Sequence, residues 1–270
     1  MANGTAYDRI FGKKSGRDPL DALTGALNQL PNLVDGCVEA FNKIVAIVNA
    51  RRGSIDVQPA GSPSRGITQL AIFFINRDIE SIRRNLTVPL DIAEKVLQNH
   101  APLVSLFITS YHYLEKVQDP LVSISSDIST PADDNLYYWT GAARHAYNDK
   151  REAQSAAVEA VADFAQQMSG WLLNIGKMNT AYVVRLVQAL SDILAELVAV
   201  TVNAVTIVNI LFALDGVSSA IKKTVQALLN ELAEQLNEMV ATIEGFNMMA
   251  AAKNTSALSG GRWPQSVYDN

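Results

Sequence analysis

Apolar residues recur along most of this chain at alternating steps of three and four, the spacing of one face of an α-helix. The first such run carries Leu23, Leu27, Leu30, Leu33 and Val34, then Val38, Phe41, Val45 and Val48. Pro31 lies inside it and predicts a kink or restart, because proline lacks the N–H and crowds the preceding turn. A second run holds Leu70, Phe73, Phe74, Ile79 and Ile82. Thr87, two residues before Pro89, predicts a fresh helix start with proline in its first turn. That helix bears Ile92, Val96, Leu103, Leu106, Tyr113, Leu114 and Val117, with Pro102 as a site of bending.

A third run follows mid-chain, with Val158, Val161, Ala165, Met168 and Leu172 on one stripe. Ala153, Ala156, Ala157 and Ala160 offer small surfaces for close helix approach. A break is expected at 176–180. Residues 181–214 are nearly all apolar, and Asp215-Gly216 predicts the end of that element. The last run, 218–251, is the most regular. Ile221, Val225, Leu228, Leu232, Leu236, Met239 and Ile243 form a heptad-like seam, with Lys222, Glu231, Glu234 and Glu238 elsewhere on its surface.

No stretch alternates apolar and polar residues between tight turns, so no strand is expected. The pattern predicts an all-α fold, an elongated bundle of long antiparallel helices with polar breaks near 51–66 and 125–137. Residues 1–18 read as a flexible arm and 252–270 as a flexible tail. Between them, 19–251 forms the bundle, in which 67–180 precedes the hydrophobic and heptad-like helices of 181–251.

Composition narrows the function classes. Hydrophobic residues make up 49% of the 270 and charged residues only 18%, with 15 glycines and 9 prolines, which suits long uninterrupted elements. A net charge of −5, with no basic cluster interleaved by aromatics, argues against a nucleic-acid partner. The single cysteine, Cys37, forbids an internal disulfide and reads as a small buried hydrophobe. The first twenty residues contain no apolar core of a secretory signal, so export is expected to use a route that does not read one.

Candidate chemistry is sparse. The histidines His100, His112 and His145 match no metal-ligand spacing. His145, Asp149 and Glu152 share a helix face, where solvation explains them as well as a metal would. No phosphate loop, nucleophile elbow or carboxylate pair stands out, so no catalysis, cofactor or small-molecule substrate is expected.

The stretch 197–214 has eighteen residues without charge, at the lower edge of a membrane span. Thr201, Asn203, Thr206 and Asn209 interrupt it, and flanking aromatic anchors are missing. It reads as a buried central helix, as a segment that enters a membrane after a conformational change, or as a permanent span. Leu197, Val200, Val205, Ile210 and Leu214 are its membrane-segment residues in the last two readings.

One cluster breaks the aliphatic pattern. Residues 135–149, NLYYWTGAARHAYND, place Trp139-Thr140-Gly141 ahead of Ala142, Ala143 and Tyr147. Glycine permits a tight turn and close approach of a facing helix, and tryptophan supplies a large apolar surface to staple two arms. This arrangement, with an Ala-rich helix after it, resembles the Trp-x-Gly (WXG) turn of type VII (ESX) secretion substrates. The likeness covers roughly 90–180 and is closest to the longer substrates, in which a hydrophobic helical region follows the hairpin. It implies a helical hairpin bent at Trp139 and Gly141 and packed by Tyr147. The Tyr-x-x-x-Asp/Glu export signal of that superfamily usually follows the hairpin. Here its match is Tyr111 to Glu115, ahead of the turn.

Three functions follow. The first is a non-enzymatic helical-bundle protein of a type VII system, secreted or on the cell surface, pairing with another helical protein or with itself. The second is a pore-forming or membrane-active protein that inserts 197–214. The third is a cytoplasmic scaffold that oligomerises through Val225, Leu228, Leu232, Leu236 and Met239.

Overall fold

The computed structural model describes residues 19–53, 63–129, 138, 140–203, 207–253, 258 and 262–264. Among these the chain is all-helical, with no strand. The elements in order are α1 (Pro19–Gly53), α2 (Pro63–Gln98), α3 (His100–Tyr113), a π turn (Leu114–Gln118), α4 (Asp119–Ser129), α5 (Ala142–Asn203) and α6 (Ile207–Lys253). The expected arm at 1–18, most of the tail, Trp139 and the 204–206 connection lie outside the described residues.

Several expected breaks are absent. Helix α1 passes through Pro31 and α2 passes through Pro89, so no helix begins at Thr87. Helix α5 continues through 176–180 for a total of 62 residues. Asp215 and Gly216 sit inside α6. The proline positions explain part of this. An internal proline costs one hydrogen bond and some crowding, about 3 kcal/mol, which long flanking stripes of buried apolar surface offset. Pro31 is exposed, where water serves the carbonyl it leaves unbonded.

Contacts divide the chain into two units, each drawn from separate stretches. Unit 1 comprises 1–18, 101–178 and 236–270, and unit 2 comprises 19–100 and 179–235.

In unit 2, α1 buries Leu23, Leu30, Cys37, Ile44 and Val48, and α2 buries Ala71, Ile75, Ile82, Leu86 and Ala93. Helix α5 contributes Leu186, Leu190, Ile193 and Leu197, and α6 contributes Leu214, Ile221, Val225 and Leu228. The buried stripe of α1 keeps Leu23, Leu30, Phe41 and Val48 of the expected positions and departs from the expectation between them. Cys37, Ala40 and Ile44 are buried, whereas Val38 is exposed and Val45 is half-buried. The small residues allow close packing: a Cβ on Gly36 would stand 3.1 Å from the Leu194 side chain. In α2 the expected core positions Leu70 and Phe73 are exposed.

In unit 1, α3 buries Phe107 and Ser110, and α5 buries Val158, Ala162, Ala165, Ser169 and Leu172. Of the four alanines expected at close contacts, only Ala157 is buried. The Ser110 hydroxyl donates to the Ser169 carbonyl at 2.9 Å and lies 3.0 Å from the Ser169 hydroxyl, so this buried pair is satisfied. Gln118 donates to Gln166 at 3.2 Å and Ser125 to Glu159 at 3.5 Å. Partner positions on α5 fall as positions on α3 and α4 rise. Phe246 of α6 stacks on Trp171 with ring centroids 5.0 Å apart.

The π turn has a local cause. Asp119 N–H reaches back to the Leu114 carbonyl, one residue beyond the α-helical partner. Pro120 follows, and in a regular helix its ring would crowd the Lys116 carbonyl. The wider turn relieves that crowding and lets α4 start with proline in its first turn.

Gly176 makes the closest approach. A Cβ there would stand 2.9 Å from the tip of the buried Phe107 ring. Gly176→Ala is expected to destabilise the fold by about 1–3 kcal/mol, the usual range for overpacking. Chemical denaturation measures this, and pairing the change with Phe107→Leu should recover part of the loss.

Candidate functional site

Gly141 is the one described glycine with a positive φ, at 76°. That left-handed conformation is strained for a residue with a side chain, which accounts for glycine directly before α5. Its carbonyl accepts from the His145 N–H at 3.3 Å, the first bond of the helix. The second expected role, close approach of a facing helix, is not seen: a Cβ on Gly141 would meet nothing within 4 Å. Tyr147 is on the exposed opening turns of α5, where burial begins only at Ala157. Trp139, the third residue of the motif, lies outside the described residues.

Tyr111 and Glu115 are brought onto neighbouring turns by α3 and the π turn. Tyr111 is half-buried with its ring 6.3 Å from that of His112, and Glu115 is exposed. In the apolar stretch, Leu197, Val200, Ile210 and Leu214 are buried in the unit 2 core, and Val205 lies outside the described residues. Among the described residues, no helix is long and apolar enough to cross a membrane. The heptad-like seam divides. Val225 and Leu228 are buried within unit 2. Leu232 and Met239 are half-buried, and Leu236 is exposed.

Three buried groups stand out for their chemistry. Cys37 donates from Sγ to the Leu190 carbonyl at 3.5 Å, and burial pushes its thiol up to about 11. It is therefore protonated and unreactive at neutral pH, as a packing residue should be. Tyr182 is buried with no hydrogen-bond partner on its hydroxyl. Its pKa is raised first by burial and then by the charge of Glu231, which Arg185 contacts at 3.3 Å.

Asp78 is the third, and the apolar pattern alone did not single it out. It is 3% exposed, on the same stripe as Ile75 and Ile82. Its Oδ1 accepts from Arg77 at 3.0 and 3.1 Å, and its Oδ2 has no partner. The Arg77 guanidinium also lies 4.0 Å from Asp215 and 5.0 Å from the centre of the Phe74 ring. One turn on, the Ser218 hydroxyl donates to that of Ser81 at 2.9 Å. The sequence signal was available: Asp78 falls three residues after Ile75 and four before Ile82, the spacing of one helix face.

No described group of histidine, cysteine, aspartate and glutamate has the arrangement to hold a metal ion. Asp35, Val38, Glu39, Asn42, Lys43 and Ala46 border an open depression, but all lie on the outward face of α1 alone. Glu39 and Lys43 satisfy each other there at 2.7 Å. No family model matches the chain, and no curated protein or solved structure is similar to it.

Two outcomes test these assignments. Tyr182→Phe removes a hydroxyl that makes no bond, so stability should hold or rise by up to about 1 kcal/mol, read from the denaturation midpoint. Cys37 keeps its proton in the folded chain to about pH 11, while the unfolded chain loses it near the ordinary value of 9.0. Its contribution is complete below pH 9.0 and is lost as the pH rises towards 11. Cys37→Ala should flatten that part of the alkaline stability curve.

Proposed function

We propose that this chain is a non-enzymatic helical protein of a type VII secretion system, exported to the surface or medium, that acts by pairing with another helical protein or with itself. The observation that carries the reading is the left-handed turn at Gly141, two residues after Trp139 and directly ahead of α5. The opposed order of contacts between 107–125 and 159–176 supports an antiparallel pair of helical arms joined through this turn. The reading takes Trp139, Gly141 and Tyr147 as the hairpin motif, with the reversal at Gly141. It assigns the export signal to Tyr111 and Glu115, of which Glu115 is exposed for recognition.

Partner binding finds support on α6 in unit 1. Leu236, Val240 and Ile243 are exposed at steps of four and three on one face. A stripe of that spacing suits the apolar face of another helix. The work of the protein on this reading is association, with no bond made or broken.

Export is tested by removing the secretion ATPase from the producing cell and assaying the medium. The chain should vanish from the medium, and undiminished release refutes the assignment. Association is tested by two substitutions on the same helix. Leu236→Asp should abolish assembly in sedimentation while leaving the helical signal intact. Leu228→Asp should unfold the chain, since Leu228 is 4% exposed and a buried unpaired charge costs several kcal/mol, roughly 3–5. Assembly that survives Leu236→Asp would show that this face is not the interface.

A further inference from the structure

In unit 2, helix α5 carries a second apolar stripe that the core does not use. Val184, Val187, Ser191, Leu194, Val198 and Val202 follow at steps of three and four, with Ala195 beside them. Val184 is 39% exposed, Val198 44% and Val202 74%, while Val187 and Leu194 are half-buried. The core row of the same helix, Leu186, Leu190, Ile193 and Leu197, is a different set. The stripe lies on the side of α5 next to α1. Leu194 is one of its members, and a Cβ on Gly36 would stand 3.1 Å from that side chain. Cys37, the next residue of α1, bonds to the Leu190 carbonyl. Counted at about 1.5 Å per residue, the stripe runs ~27 Å from Val184 to Val202, about five turns of helix.

Two features prepare this stripe for cover. Its hydroxyls are already bonded inside the helix. Ser191 donates to the Val187 carbonyl at 2.9 Å, and Thr201, beside Val202, donates to the Val198 carbonyl at 2.7 Å. A surface laid over them strands no donor. The charge around the stripe is also one-sided. Residues 19–42 of α1 and 186–203 of α5 contain no lysine, arginine or histidine. Asp192 and Glu196 stand on the solvent side of α5, and Asp35 and Glu39 on the outward face of α1, all exposed. Lys43 and Arg185, the bases that bound these two stretches in sequence, are engaged: Lys43 holds Glu39 at 2.7 Å, and Arg185 holds Glu231 of α6 at 3.3 Å. Asp35, Asp192 and Glu196 make no ion pair with a described residue.

We propose that this side of unit 2 receives one amphipathic helix of a separate protein, whose apolar stripe is flanked by lysine or arginine. The partner's apolar residues seat along Val184, Val187, Leu194, Val198 and Val202, and its basic flanks meet the uncompensated carboxylates. The inference goes beyond the secretion reading and does not depend on it, since the stripe at Leu236 belongs to unit 1. A seam of this spacing and length matches a helix laid alongside, and burial of its valines supplies the affinity. The acidic surround selects a basic partner and speeds the encounter. A second copy is a poorer occupant. A two-fold pairing of the stripe with itself centres on or aligns Ser191 and Asp192, which brings the two Asp192 carboxylates together.

The test uses the purified full chain and a labelled synthetic peptide of about 21 residues, with leucine at the a and d positions of its heptads and lysine at e and g. Binding is read by fluorescence anisotropy and is expected to weaken as salt rises. The same peptide with glutamate in place of lysine should bind at least about tenfold more weakly. Val184→Ser combined with Val198→Ser should lower affinity by about tenfold, the effect of losing one or two well-buried apolar side chains. Asp192→Asn combined with Glu196→Gln should weaken binding at low salt and leave it little changed at high salt. Val240→Ser, in unit 1, should change nothing, and circular dichroism should match the parent in each case. Any of four results overturns the proposal. The lysine peptide fails to bind. Both peptides bind equally. Binding is indifferent to the paired valine changes or, at low salt, to the paired carboxylate changes. Or the parent chain forms a dimer in sedimentation that the valine changes dissolve, which makes a second copy the occupant.

Discussion

The structure depends on a stripe of small and aliphatic residues along α5 that must stay unbroken. From Val158 through Ala162, Ala165, Ser169 and Leu172 to Gly176, then from Val183 through Leu186, Leu190, Ile193 and Leu197 to Val200, buried positions follow at steps of three and four. A single helix thereby supplies core to both units. Helix propensity alone would not keep 62 residues helical through glycines, threonine and β-branched residues. Burial of the stripe does so, at roughly 25 cal/mol for each Å² of apolar surface removed from water. This is why a break expected at Gly176 does not occur: the glycine is needed as a floor for Phe107.

The helices themselves were legible in the apolar spacing, and so was the all-α class. Which face of each helix turns inward was less so. On α1 the spacing is equally good for Val38 and Val45 as for Cys37 and Ile44, and nothing local in the sequence decides between them. The packed helices choose the other register because Gly36, Cys37 and Ala40 permit a closer approach. On α2 the apolar pattern placed Leu70 and Phe73 in the core, whereas the buried row includes Ala71, Ile75, Asp78 and Ile82. Apolar bulk marks what can be buried. Contact distance decides what is, and that quantity is not local in sequence.

The candidate sites divide along similar lines. Gly141 carried a local signal, a residue able to take positive φ ahead of a helix, and the conformation is there. The seam on α6 carried a periodic signal that does not distinguish an internal core from an external interface. Its first part, Val225 and Leu228, serves the chain's own core, and exposure at Leu236 begins where that core stops. The division into units was not legible at all, because each unit joins stretches that are distant in sequence.

The π turn at Leu114–Gln118 has a consequence for how stability is distributed. Upstream of it, the packing against α5 is apolar and tight, as Phe107 on Gly176 and the buried Ser110 show. From the last residue of the turn onward, the bonds across to α5 are exposed: Gln118 to Gln166 and Ser125 to Glu159. Val122 and Ile124 are exposed as well. A segment that buries so little has little to lose by opening. Helix α4 therefore belongs among the described segments of low local stability, able to detach and return while the helices beyond the turn stay closed. Pro120 draws the line between the two regimes, since cooperativity passes poorly through a turn whose hydrogen-bond ladder has been shifted by one residue.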